Sequence, residues 1–345
     1  MEEPNAIKQN NKKINEVTTF PVPVALGEIK ENISISINTF SQLSKKKLIN
    51  KAIKLHLEGK IQEASKYYQY CLSRGIKDYR VFSNYGSILK GNSKLEEAEL
   101  CTRKAIKLKP NLAEAHNNLG SILRDVGRLE EAELCTRKAI ELNNNCSDTH
   151  SNMGTILRDL GKLKEAELSL LKGIELNHDC ANAYFNLSFI ELQRGNYQSG
   201  LEHYEFRFKK QQPIIPHINA PIKRVKNEKL RKGEKLLVVS EQGLGDTLQY
   251  MRYIPFLREL GLDVSFCPQL KLNALVKASK IDTNPLTPNQ ANLVSEGKWI
   301  PLLSLPRYLK VSPENPIVSK PYIFSKDELN KKWKHILSKE KRPII

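Results

Sequence analysis

The sequence predicts two parts: an α-helical array of stacked helix pairs, then an α/β half-domain built on a parallel sheet. Three observations carry this. The string LEEAELCTRKAI stands at 95–106 and again at 129–140, which sets a 34-residue period. Small residues recur at two fixed positions of that period. After about residue 233 the texture changes to short apolar runs separated by a helical pattern, the signature of a strand–helix–strand unit.

At 345 residues the chain has room for roughly two domains of about 150 residues each. Residues 1–43 are rich in Asn, Lys, Ser and Thr, and FPVPVAL carries two prolines that favour an extended backbone. This part is read as a mobile N-terminal segment. It has no apolar stretch of the signal-peptide kind, and no run in the chain approaches the ~20 apolar residues of a membrane-spanning helix. The cytoplasm is the expected compartment.

The repeats are expected at 44–213 as five units, 45–78, 79–112, 113–146, 147–180 and 181–213. Gly86, Gly120 and Gly154 mark one small position, and Ala98, Ala132 and Ala166 the other. Each unit reads as two amphipathic helices. In the third, Leu119, Ile122 and Leu123 form the apolar stripe of the first helix, and Gly127 stops it. Leu129, Ala132, Leu134 and Ile140 are expected to face inward from the second. Gly120 and Ala132 are small because the two helices cross closely there. Lys51 and Arg207 break the pattern in the first and last units, as end repeats do where one face meets no neighbour.

Two further columns follow the same step. Asn50, Asn84, Asn118, Asn152 and Asn186 each stand two residues before the small position. An amide both donates and accepts, so such a row suits the backbone of an extended peptide; it equally suits bridging between adjacent repeats. His116 and His150 also recur at this step, which points to repeat packing rather than a metal site. Of the six cysteines, Cys101 and Cys135, and likewise Cys146 and Cys180, keep the 34-residue step. They read as reduced buried thiols, with no disulfide framework and no metal set.

The net charge of +17 raises nucleic acid as a partner. Most basic residues are scattered among acidic neighbours. The exception is 205–235, with ten Lys or Arg against three Glu, and it lacks the aromatic interleaving that stacks bases. Residues 214–232 are therefore read as a solvated basic linker, and nucleic acid is not the expected partner.

Residues 233–345 form the α/β part. LLVVS at 236–240 predicts a buried strand, DTLQYMRYIPFLRELG a helix with Pro255 as an inner defect that favours a kink, and LDVSFCP a second, parallel strand. KLNALVKAS predicts a short helix, KWIPLLSLPRYL a strand and loop, and FSKDELNKKWKHILSKEK a helix capped by Ser325. The bend SEQGLGD between first strand and helix holds Glu241, Gly243, Gly245 and Asp246. It has neither the dinucleotide nor the P-loop spacing. It is either a tight turn with Asp246 capping the helix, or a loop whose amides and carboxylate serve a ligand.

The 34-residue pattern, with its small positions and Pro110 at a unit's end, resembles the tetratricopeptide repeat. The resemblance implies a right-handed superhelix whose concave groove holds an extended peptide or protein. The tetratricopeptide region of nucleocytoplasmic protein O-GlcNAc transferases carries a similar asparagine ladder. SEQGLGDTLQYMRYIPFLRELGLDV resembles the first βα unit of a glycosyltransferase-like domain that follows such repeats in bacterial proteins. It is also similar to ADP-heptose heptosyltransferases. LLSLP at 302–306 and KPYI at 320–323 extend the match. This implies the Rossmann-like N-terminal, acceptor-side half of a GT-B glycosyltransferase, with Asp246 at the place of a general base and Glu241 as a second carboxylate. The resemblance also implies a second half holding a nucleotide sugar. The chain stops at KEKRPII, so on this reading the donor half is absent, the sequence looks truncated, and no cofactor or sugar transfer is expected of it alone. The alternative is a transferase completed by a donor-domain chain or a missing C-terminus.

Overall fold

Small side chains set the spacing of the helix pairs. In the computed structural model, which describes residues 44–210, 213–214, 218–241, 243–317 and 320–338, a methyl group added at Gly120 would overlap the Thr136 hydroxyl and stand 3.0 Å from the Ala132 carbonyl oxygen. Gly86 meets Thr102 and Ala98 in the same way. At Gly154 the facing side chain is Leu170 instead of Thr. The expectations for residues 1–43 and for the terminal KEKRPII lie outside the described residues.

The pairs are α1 (Lys45–Leu57) with α2 (Ile61–Ser73), α3 (Tyr79–Gly91) with α4 (Leu95–Leu108), α5 (Ala113–Asp125) with α6 (Leu129–Leu142), and α7 (Ser147–Asp159) with α8 (Leu163–Leu176). Within each pair the turn falls on a left-handed residue. Gly59, Gly127 and Gly161 supply it with φ of 74°, 83° and 76°, and Ser93 holds the same place at 59°. Leu119, Leu123, Ala132 and Ile156 close one stretch of core between successive pairs. Leu134 corrects the inward list: it is 68 % exposed, while Ala132, Thr136 and Ala139 are buried. These three follow the 3.6-residue period, and Leu134 falls on the opposite side of the helix.

The chain divides into two compact units, residues 1–183 and 184–345. The division falls inside α9 (Ala181–Gln193), so most of the fifth pair, including α10 (Tyr197–Tyr204), belongs with the sheet. A 3-10 turn, Glu205–Phe208, follows α10.

The second unit holds four parallel strands in the order β1–β4–β2–β3: β1 (Lys223–Arg224), β2 (Lys235–Val239), β3 (Asp263–Cys267) and β4 (Lys298–Pro301). β2 is central and buried on both faces. Leu236 and Val238 pack into one core with Met251, Ile254, Leu257 and Phe266. Leu237 and Val239 pack on the other side with Cys267 and Ala291. β1 lies inside the segment read as a solvated linker, and Arg224 is ion-paired, so that expectation is corrected for these residues.

The helix expected after β2 is two helices, α11 (Leu244–Tyr250) and α12 (Tyr253–Glu259). Pro255 sits in the first turn of α12, where its missing N–H costs nothing, and cannot continue a helix from upstream. Then come α13 (Asn273–Ala278), α14 (Pro288–Asn292), α15 (Leu305–Tyr308) and α16 (Asp327–Leu337). The α14 helix went unread although Thr287 and Gln290 form a capping box with Pro288 at the first position. Ser325 does not cap α16; its hydroxyl bonds Asn330 Oδ1, and the N-cap is Lys326. Among the described residues, no helix is long and apolar enough to cross a membrane.

Candidate functional site

The asparagine column turns inward between repeats. Asn84 is fully buried, and its Nδ2 donates to the Tyr68 hydroxyl of the preceding pair at 3.1 Å. Asn118, 9 % exposed, donates to Ser87 Oγ at 2.9 Å. Asn152 is half-buried and donates to Asn117 Oδ1 at 3.0 Å. Each of these three amides thus donates to the repeat before it, which is the bridging alternative for Asn84, Asn118 and Asn152. Asn50 is exposed on α1, and Asn186 is half-buried in α9. His116 and His150 place Nε2 on the carbonyls of Pro110 and Asn144, at 2.8 and 3.0 Å.

The first helices instead expose a chain of paired charges at their last turns. Lys90 reaches Asp125 at 3.3 Å, Arg124 reaches Asp125 at 2.7 Å and Asp159 at 4.0 Å, and Arg158 reaches Asp159 at 2.8 Å. The chain crosses two repeat boundaries. The side chains remain 24 to 31 % exposed, so each pair is screened and adds little stability, yet is open to exchange partners.

In the second unit the geometry concentrates at the carboxyl ends of β2 and β4. β3 and β4 lie on opposite sides of β2, so the chain reverses its direction of travel across the sheet there. In open parallel sheets the crevice at such a reversal is where ligands bind. Gly243, with φ 97°, is the N-cap of α11. Asp246 is therefore not the cap. It lies in the first turn, exposed, and its carboxylate folds toward Gly243: a methyl there would stand 2.5 Å from Oδ2. Gly245 is exposed with open space beside it, so packing does not demand a glycine there. Thr247 N–H donates to the Gly243 carbonyl at 3.2 Å, and Gln269 Nε2 to the Glu241 carbonyl at 2.5 Å.

Glu241 is 4 % exposed and takes both forks of Arg207, Nε to Oε2 at 2.9 Å and Nη2 to Oε1 at 2.8 Å. The Arg207 guanidinium, fully buried, also donates to Ser304 Oγ at 2.8 Å and to Glu205 at 2.6 Å, while Arg224 reaches Glu205 at 2.7 Å. Glu241 follows β2 and Ser304 follows β4, so one guanidinium spans the ends of two adjacent strands. It stacks between the rings of Tyr204 and Phe208, 4.6 and 4.1 Å from their centroids. Three cations, Arg207, Arg224 and Arg307, reach the two carboxylates; Arg207 and Glu241 are buried, and Glu205 and Arg224 are half-buried. Burial alone would raise the Glu205 pKa, but the Arg207 charge overrides it and holds the carboxyl below its ordinary range. A carboxylate held this way is a structural ligand of arginine, not a free base, and this corrects the role expected for Glu241. Asp246 is the carboxylate left open on this edge. Arg207 stood out in the sequence only as a break in the repeat pattern, and that break was the available signal.

None of the six cysteines is in a disulfide; burial pushes the thiols of Cys71 and Cys267 up to about 11. Among the described residues no group of three or more His, Cys, Asp or Glu could hold a metal ion.

Comparison with known proteins bears on the repeats. Residues 79–112, 113–146 and 147–180 each match a tetratricopeptide repeat family model. These segments are tetratricopeptide repeats, and with the preceding pair α1–α2 they form the helical superhelix of the first unit. The curated proteins gave no match. Among solved structures, the chain is similar to MamA at 19 % identity, over 47 % of this chain and 94 % of that one, with a TM-score of 0.39. It is similar to MamA from Desulfovibrio magneticus at 17 % identity, over 47 % and 91 %, with a TM-score of 0.40. It is also similar to YrrB, described as a TPR protein with an unusual peptide-binding site, at 20 % identity over 48 % and 86 %, with a TM-score of 0.38.

Proposed function

We propose that this chain is a scaffold whose tetratricopeptide repeats hold an extended peptide or protein segment against their first helices. The observation that carries the reading is the half-exposed charge chain from Lys90 to Asp159, which runs across three successive matched repeats. Its members are already oriented by one another and can pair with charged groups of an extended partner. The amide column supports this surface from beneath by fixing one repeat on the next. The test is titration of a charged-peptide library against the full chain and against Arg124→Ala/Arg158→Ala. Saturable binding weakened in the variant is expected; equal binding by both removes this face as the site.

A second reading is favoured by Asp246. It is an exposed carboxylate beside the ends of β2 and β4, at the position where the resemblance to acceptor-side glycosyltransferase halves puts a general base. On that reading the repeats present a protein acceptor, and a nucleotide sugar is held by a donor half outside the residues described. Glu241 keeps the loop in place through Arg207. The experiment is sugar transfer to a bound peptide, read by mass spectrometry, with and without Asp246→Asn. Transfer that survives the substitution removes Asp246 as base, and no transfer under any condition leaves the scaffold alone.

A further inference from the structure

On the second unit a cleft of about 700 Å³ opens between the segment 226–230 and α15. Lys226, Lys229, Arg307 and Lys310 line it, with one carboxylate, Glu202, and an apolar floor that includes Phe256. The three lysines are exposed and make no ion pair among the described residues. Glu202 is already engaged, its oxygens 3.3 and 3.4 Å from Arg307 Nη1.

The cleft is built rather than incidental. Arg307 Nη2 donates to the Lys226 carbonyl at 2.6 Å, and Nη1 to Asn227 Oδ1 at 2.6 Å. Leu230 is buried, and its N–H donates to the Tyr308 hydroxyl at 3.1 Å. The lysine-bearing segment is thereby tied at both ends to α15. Its charges are gathered before any ligand arrives, which lowers the ordering cost of binding.

We propose that this cleft is a binding site for a small phosphate ester. Three ammonium groups beside a fixed guanidinium match a multiply charged phosphate, whose oxygens accept charge-assisted hydrogen bonds from several donors. The volume is that of a small-molecule pocket, and the Phe256 side supplies apolar surface for the organic part. None of its lining residues belongs to the charge chain of the repeats or to the β2–α11 loop, and the proposal depends on neither reading above.

Calorimetric titration of the full chain with pyrophosphate and with ADP, at an ionic strength of about 0.15 M, tests it. One saturable site is expected, weakened about tenfold or more in Lys226→Ala/Lys310→Ala. Lys331→Ala/Lys332→Ala removes the same charge from α16 and is expected to bind as the unaltered chain does. Equal weakening in both variants would mean attraction to net charge alone and overturns the site, as does absence of saturable binding for both ligands at millimolar concentration. Tighter binding of ADP than of pyrophosphate supports an organic group on the apolar floor. Equal binding supports recognition of the phosphates alone.

Discussion

Arg207 and Glu241 face each other through two parallel hydrogen bonds of 2.9 and 2.8 Å, with the guanidinium wholly buried and the carboxylate nearly so. The arginine comes from the turn after α10 and the glutamate from the end of β2. Removing only the cation leaves Glu241 as a buried carboxylate without its main partner, and Glu205, half-buried, with Arg224 at 2.7 Å. Arg207→Met is expected to destabilise the second unit by about 3–5 kcal/mol. Arg207→Met/Glu241→Leu should recover much of that loss, because the desolvation of both charges is then no longer required. Urea unfolding of the single and double variants measures the cycle, and additive losses would mean the two residues act independently.

The amide between repeats has a similar asymmetry. Asn118→Ala removes the donor to Ser87 Oγ, and Ser87 is itself 1 % exposed. A loss of about 1–3 kcal/mol is expected, the cost of an unpartnered buried polar group. The readout that separates this from a groove role is the urea midpoint of the free protein. An unchanged midpoint with weakened peptide binding would return Asn118 to the groove.

How far the sequence could be read follows from what its period encodes. A 34-residue step says that Asn84, Asn118 and Asn152 occupy equivalent places, and helical spacing says which residues share a side of one helix. Neither says which side meets the neighbouring repeat, so the amides could be read as facing a peptide. Leu134 failed differently: inclusion by residue type overrode its angular position, and the 34-step column Leu100, Leu134 and Leu168 is in fact exposed. The strands were legible because LLVVS is apolar on both faces. Arg207 with Glu241, Ser304 and Arg224 was not legible, since these partners come from four separate segments and no local pattern links them. The β1 strand was hidden for a related reason: two residues make an edge strand only when β4 is there to pair with them.

The left-handed turn position gives a stabilising prediction. Ser93 sits at φ 59° where Gly59, Gly127 and Gly161 stand in the other pairs. A side chain in this region crowds its own backbone, by roughly 1 kcal/mol. Ser93→Gly is expected to stabilise the first unit by about 0.5–1 kcal/mol, and Gly127→Ala to destabilise it by about 1 kcal/mol. Thermal unfolding of both variants checks the pair of signs. A lower melting temperature for Ser93→Gly would mean that the serine contributes more than the strain costs.

The two units should also lose stability to acid in different windows. Burial lowers the His56 pKa from 6.5 to about 4, and its ring lies beside Tyr68, with Nδ1 3.4 Å from the hydroxyl. The unfolded chain therefore binds a proton that the folded one refuses between those values. Stability contributed by neutral His56 is complete above pH 6.5 and falls as pH drops toward 4, by up to roughly 3 kcal/mol. Glu205 is the opposite residue type with the same sign. Its carboxyl is held below the ordinary 4.5, so its contribution is complete above pH 4.5 and is lost only as pH falls through the lowered value. Acid titration followed by hydrogen exchange should show the first unit loosening between pH 6.5 and 4 and the second holding until below 4.5. His56→Phe should flatten the upper window alone. A slope there that survives the substitution would assign it to another group.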